Sequence, residues 1–186
     1  MITKIIALTF INLLTSAIIT PSELKTYYTY YDNGQIQVIQ TYHKEKEHGE
    51  WTWYYENGDI ELIGNFKNGK QDGIWHQYYP NGQTDEKGVF KNGKRDGKFT
   101  WYYENGQIEK DQNFSNGKEH GRQVIYSENG IILVDSYFKN GKKHGELIFN
   151  YDSGKLFLKG QYKDDIEYGK WIYYNEDGTI QKEEMY

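Results

Sequence analysis

The residues with chemical potential recur on a fixed spacing. His48, His120 and His144 each stand just before a glycine, and Asp72 and Asp96 fill the same slot in other units. A zinc site needs its ligands within about 2.1 Å of one centre. On alternate strands of a sheet these positions lie about 10 Å apart, so they share no ion, and the slot reads as a polar turn position. Glu56, Glu104, Glu128, Asp152 and Glu176 recur beside a second set of turn signals. A glycosidase pair needs two carboxyls about 5–10 Å apart in a cleft that raises one pKa, and an open ribbon offers no such cleft. Serine and histidine form no nucleophilic constellation, and no glycine-rich loop leads into a helix to hold a phosphate. Cysteine is absent, which removes thiolate metal sites and disulfides. The reading is non-enzymatic, with no catalytic residue, no metal and no cofactor.

Two other groups suit binding. Tyr30, Tyr54, Tyr78, Tyr102, Tyr126 and Tyr174 share one repeat position, with Asn150 as the exception. Tyrosine joins a rigid apolar ring to a polar tip and is favoured at recognition surfaces. The plainer role for these rings is packing against neighbouring strands. Lys67, Lys70, Lys91, Lys94, Arg95, Lys118, Lys139, Lys142 and Lys143 gather at the opposite turns, diluted by Asp72, Asp96, Glu119, Asp164 and Asp165. Such an edge suits an anionic membrane surface, a glycan or a partner, although lysine also keeps turns soluble and blocks sheet stacking. The formal charge of −5 argues against nucleic acid.

The elements that position these residues follow from an internal period. Gly49, Gly73, Gly97, Gly121, Gly145 and Gly169 are 24 residues apart, and so are Gly34, Gly58, Gly82, Gly106, Gly130, Gly154 and Gly178. Five complete units run from 49 to 168, with a partial unit at each end. Aromatics are 17% of the chain and proline occurs only twice, which favours strands over disorder. Each unit carries two turn signals, Asn57-Gly58 and Asn68-Gly69 in one of them. Asn-Gly favours the two-residue type I′ hairpin. Two such turns per unit predict an all-β, elongated, single-layer antiparallel meander of about 13 strands, roughly 60 Å long at about 4.8 Å per strand.

Register follows from the turns. Tyr55 is expected opposite Ile60, Trp53 opposite Leu62 and Trp51 opposite Gly64, then Leu62 opposite Trp75 and Gly64 opposite Gly73. One face then collects Trp51, Trp53, Tyr55, Ile60, Leu62 and Phe66, with Gly64 making room for Trp51 and Gly88 for Trp75. The other face collects Thr52, Tyr54, Glu61, Ile63, Asn65 and Lys67, and it carries the tyrosine row. Toward the C-terminus this second face gains Val124, Leu133, Tyr137, Ile148, Phe157 and Ile172. A sheet apolar on both faces there points to a protein partner or to self-association.

The sequence "MITKIIALTFINLLTSAIITPSELK" opens the chain. One lysine, an apolar run from Ile5 to Leu14, and Thr15-Ser16-Ala17 give the layout of a secretory signal cut after Ala17. Residues 1–17 are therefore read as a signal peptide, 18–26 as a linker and 27–186 as the repeat array. The expected location is secreted, periplasmic or cell-surface.

The units "GEWTWYYENGDIELIGNFKNGKQDG" and "GKFTWYYENGQIEKDQNFSNGKEHG" resemble the MORN-repeat variant found in many bacterial proteins. Several of those are grouped as YwqK-type antitoxins of toxin–antitoxin systems. The resemblance implies a β-meander used as a binding or assembly surface. It adds an alternative role, neutralising a partner toxin, which an export signal would not suit.

Overall fold

The structure, a computed structural model, describes residues 24–186. It forms β1 Leu24–Tyr30, β2 Ile36–His43, β3 Lys46–Glu47, β4 Gly49–Tyr54, β5 Ile60–Lys67, β6 Lys70–Gln71, β7 Gly73–Tyr78, β8 Thr84–Lys91 and β9 Lys94–Arg95. There follow β10 Gly97–Tyr102, β11 Ile108–Ser115, β12 Lys118–Tyr126, β13 Ile132–Lys139, β14 Lys142–Asn150, β15 Leu156–Lys163, β16 Ile166–Tyr174 and β17 Ile180–Met185. All pairings are antiparallel in one seventeen-stranded sheet, between chain neighbours from β1–β2 to β16–β17 or, at β2–β4, β5–β7 and β8–β10, past a two-residue strand. The count exceeds the expected 13 partly because β3, β6 and β9 are two-residue pieces set off from β4, β7 and β10. The array opens at Leu24, inside the expected linker, because Leu24, Lys25 and Thr26 find partners in His43, Tyr42 and Thr41. The proposed signal peptide, and the linker up to residue 23, lie outside the described residues.

The two turn types differ, which corrects the expectation of identical two-residue turns. At Asn68-Gly69 both residues have positive φ, 53° and 82°, as type I′ demands. At the other turn only Gly58 does, with φ 91°. There Gly58 N–H donates to the Tyr55 carbonyl at 2.9 Å and Tyr55 N–H to the Asp59 carbonyl at 2.8 Å, which makes a three-residue loop closed by a left-handed glycine. The Asn57 side chain explains the choice. Its oxygen accepts the Asp59 N–H at 2.9 Å, an Asx contact that holds Asn57 in an ordinary turn conformation.

Each turn is followed by a bulge that restores the frame. Tyr54 pairs with Ile60 and Trp53 with Leu62, so Glu61 is the extra residue and Ile60 joins the side of Tyr54. Past the other turn, Phe66 pairs with Gln71, but Ile63 pairs with His76 and Leu62 with Gln77. The expected Leu62–Trp75 and Gly64–Gly73 pairs are therefore displaced by two residues. A two-residue slip preserves the faces. The displacement is taken up at Asp72-Gly73, where Gly73 has φ 103° and Asp72 N–H donates to the Asn65 carbonyl at 2.8 Å. The 24-residue glycine column is thus a column of bulges.

This slip decides how the aromatic face packs. Trp51 does stand opposite Gly64, but the ring lying on Gly64 is that of Trp75, where an added Cβ would meet the indole at 2.6 Å. Phe99 covers Gly88 and Trp171 covers Gly160 in the same way. Trp51, Trp75, Phe99 and Trp171 are 7%, 8%, 0% and 2% exposed, a core built from one layer. Ring contacts run without a break from Tyr27 through Tyr42, Trp51, Phe66, Trp75, Phe90 and Phe99 to Phe114.

Candidate functional site

The two adjacent tyrosines of each unit take different roles. The second one staples neighbouring units. Tyr31, Tyr55 and Tyr79 donate their hydroxyls to the carbonyls of Tyr54, Tyr78 and Tyr102, each at 2.6 Å. Tyr103 reaches the Tyr126 carbonyl at 2.7 Å and Tyr151 the Tyr174 carbonyl at 2.8 Å. Burial raises the pKa of Tyr55, Tyr79 and Tyr103, and nearby carboxylates add to it; Tyr79, beside Asp85, is pushed up to about 12. The recurrence of a second tyrosine was visible in the sequence, but its partner is a backbone atom and leaves no mark on composition.

The first tyrosine belongs to the other face, as the alternation predicted. Its carbonyl is used by the staple, while its ring is not. Tyr78 stacks on His76 with centroids 4.2 Å apart, and its hydroxyl lies 2.9 Å from His76 Nδ1. His76 Nε2 lies 2.9 Å from Thr84 Oγ1. Burial and the nearby Lys87 hold the His76 pKa below its ordinary value. Lys87 Nζ also sits 5.4 Å over the Tyr102 ring. Tyr54, Tyr78, Tyr102, Tyr126 and Tyr174 are half-buried, and Tyr30 at the array's edge is exposed. They form a spaced row, not a pocket.

The rest of this face is a lattice of charge pairs. Arg122 grips Asp135 through two bonds of 2.8 and 2.7 Å, and this carboxylate raises the guanidinium pKa. Lys98–Asp111 at 2.9 Å and Lys170–Glu183 at 2.7 Å repeat the motif. This breaks up the expected C-terminal apolar patch. Val124 and Ile148 flank Asp135, and Ile148 and Ile172 flank Lys159, as direct cross-strand neighbours. Tyr137 stands opposite Arg122 and is 42% exposed. Phe157 is on the opposite face altogether, where it meets Phe149, Tyr151 and Tyr173 at 5.0 to 6.3 Å. It occupies the bulge position of Glu61, and Leu133 occupies the same position in its own unit. The bulge turned both residues over. Val124, Leu133, Tyr137, Ile148, Phe157 and Ile172 therefore do not form one surface.

The lysine edge is built from stacked turns. Gly69 N–H donates to the Glu47 carbonyl at 2.9 Å, and Gly93, Gly117 and Gly141 repeat this at 2.8 Å. Lys67 faces Lys70, Lys91 faces Lys94 and Lys139 faces Lys142 directly across the hairpins. Arg95 does not belong to this edge. Its guanidinium lies 4.8, 5.3 and 5.4 Å from the rings of Phe99, Trp101 and Phe114. It pairs with Glu86 at 2.9 Å, and Glu86 also accepts the Trp101 indole N–H at 2.9 Å. Neither the bulge nor the opposing Glu86 could be placed from the sequence, so this inward turn was missed.

The histidine column stays dispersed. The His48 ring lies 5.4 Å from His43, and His144 Nδ1 is 3.2 Å from Asp164 Oδ1. Among the described residues no group of three His, Cys, Asp or Glu side chains is placed to hold a metal ion.

A fold of repeating hairpins, stacked in sequence order and stapled by tyrosine at every junction but the one at Ser127, defines a linear β-repeat scaffold. Family comparison places it further: the MORN repeat variant matches residues 24–44, 47–68, 71–92, 95–116, 119–140, 143–164 and 167–186. The chain belongs to the MORN repeat variant family. No curated protein matches the chain.

Proposed function

We propose that this chain is a non-enzymatic, exported scaffold that binds another macromolecule through the broad face bearing the tyrosine row. MORN repeats commonly serve in protein or membrane binding. The observation that supports this face is the division of labour between adjacent tyrosines. The second tyrosine hydroxyl, with the first tyrosine's carbonyl, holds the units together. The first tyrosine ring is left half-exposed on every second long strand from β4 to β16 except β14, where Asn150 stands, on a face that also carries paired charges. A protein partner fits rings spaced in this way better than a small ligand does, because no cleft encloses them. Export is supported by the leader-like residues 1–17.

The test uses immobilised wild-type chain and the Tyr78→Ala/Tyr102→Ala double variant, each offered extracts of the source cells. A partner held by wild type and lost by the variant, with an unchanged circular dichroism spectrum, supports the tyrosine face. Equal retention by both removes that face from the proposal. Cell fractionation with N-terminal sequencing tests export. A mature chain starting at Ile18 outside the cytosol is expected; an intact Met1 in the cytosol overturns export and favours the toxin-neutralising alternative.

A further inference from the structure

We propose that β1 is the interface of a symmetric homodimer, in which two copies join their sheets edge to edge with Tyr27 at the two-fold axis. The inference is independent of the tyrosine face and starts from a difference between the two ends of the array. Repeat arrays need polar caps, and open sheet edges are normally blunted by charge. The β17 end is capped by charge, although Ile180, Met185 and Tyr186 are 55%, 75% and 53% exposed there. It carries Lys182, Glu183 and Glu184 in succession. Glu184 is held by Lys182 at 3.2 Å and by the Tyr186 hydroxyl at 3.1 Å, and the Tyr186 ring closes against Trp171 at 6.2 Å.

Among the described residues the β1 end has no such charged cap. Its seven residues, LKTYYTY, contain one charge. Leu24, Tyr28 and Tyr30 are 59%, 51% and 53% exposed. The aromatic stripe runs out to this edge through Tyr42 and Tyr27, whose rings meet edge-on at 5.4 Å, and among the described residues Tyr27 is its last ring. Among the described residues nothing pairs with the outer side of β1.

A second copy fits this edge better than the chain's own far end does. If β17 met β1 in the register that joins β2 to β4, Glu184 would fall opposite Tyr27. Glu184 occupies the position of Gly64, Gly88 and Gly160, the residues on which the next strand's ring lies. Head-to-tail growth would therefore put a carboxylate under a tyrosine ring. Antiparallel pairing of β1 with itself avoids this. Tyr27 meets Tyr27 of the second copy, Thr26 meets Tyr28, Lys25 meets Thr29 and Leu24 meets Tyr30. No like charges oppose each other, apolar residues meet on the Leu24 side, and the aromatic stripes of the two copies become continuous. This is an isologous interface, closed by its own symmetry.

The experiment is sedimentation velocity on the purified chain over a range of concentrations, with Tyr27→Lys, Tyr27→Glu and an equimolar mixture of the two. Wild type should sediment as a concentration-dependent dimer. Each single variant should raise the dimer dissociation constant about tenfold, through loss of the ring pair and like charges facing at the axis. The mixture should recover the dimer, because only a two-fold axis at position 27 sets lysine against glutamate. Circular dichroism checks that both variants keep the sheet. A wild-type monomer at all concentrations overturns the proposal. So do open-ended polymers, or a Tyr27→Lys variant that associates like wild type.

Discussion

Tyr79→Phe removes a single oxygen atom, and the structure states what that atom does. The hydroxyl donates to the Tyr102 carbonyl at 2.6 Å across the junction of two units. Its net worth is about 1 kcal/mol, rising toward 2 if the carbonyl finds no water. For a chain of this size that is a fall in melting temperature of roughly 2–6 °C. Tyr78→Phe, one residue earlier, is the control. It removes only the contact with His76 Nδ1, and the expected loss is under about 0.5 kcal/mol.

The alkaline limb gives a second, independent signature. Burial, then Asp85, Glu109 and Glu104, push the Tyr79 pKa from 10.0 to about 12 in the folded chain. Below pH 10 the hydroxyl is neutral in both folded and unfolded states, so its contribution is fully present. Between 10 and about 12 the unfolded chain ionises first, and that contribution drains away. Phenylalanine cannot ionise. The stability gap between wild type and Tyr79→Phe should therefore be constant up to about pH 9.5 and narrow above pH 10. Urea unfolding followed by tryptophan fluorescence, from pH 8 to about 11.5, measures both effects. Equal losses for Tyr78→Phe and Tyr79→Phe, or a gap that does not change with pH, would refute the staple.

Other substitutions probe the same architecture. Gly64→Ala puts a methyl group into the Trp75 indole, and urea unfolding should register a loss of about 1–3 kcal/mol. Gln123→Ala breaks the buried trio in which Gln123 donates to Gln112 Oε1 and accepts from Ser136 Oγ at 3.3 Å, so a similar melt should show a loss of about 1–3 kcal/mol. Ser127 stands where five other units carry a stapling tyrosine, and Ser127→Tyr should add the missing bond to the Asn150 carbonyl, raising stability by about 0.5–1.5 kcal/mol; an unchanged melting curve would show that the register differs at that junction.

Periodicity made the architecture legible. Glycines and aromatics on one 24-residue period give hairpins, and alternation then assigns Trp51 and Tyr54 to opposite faces. The irregularities were not legible, for a local reason. Asn57-Gly58 and Asn68-Gly69 are the same dipeptide, yet the first is a three-residue loop and the second a type I′ turn. The Asx contact from Asn57 to Asp59 selects the loop, and it depends on the geometry of the residues that follow. The later misplacements follow from the three-residue loop and from the bulge at Asp72-Gly73. Ile60 changes sides, Phe157 and its counterpart Leu133 sit at bulges, and the ring on Gly64 comes from Trp75 and not Trp51. The row tyrosines keep the side of the sheet that alternation assigns them because they precede the bulge.

A repeat array is only as uniform as its junctions, and one junction here differs in composition. From Gln112 to Asn150 the ring-on-glycine pairing gives way to Gln112, Gln123 and Ser136, and no tyrosine stands at 127 to staple the next unit. The continuous ring contacts end at Phe114, and separate clusters follow at Phe149, Tyr151, Phe157 and Tyr173 and at Tyr162, Trp171 and Tyr186. Hydrogen bonds between amide side chains replace dispersion between rings, and they are far more directional. Gln112 is fully buried and Gln123 nearly so, which means the polar trio holds its strands in register without the ring stack that fixes the others. Units on either side lean on their own aromatic clusters. The array is therefore best understood as one long aromatic stack and two shorter ring clusters joined through a polar seam, with the tyrosine-bearing face running across all three.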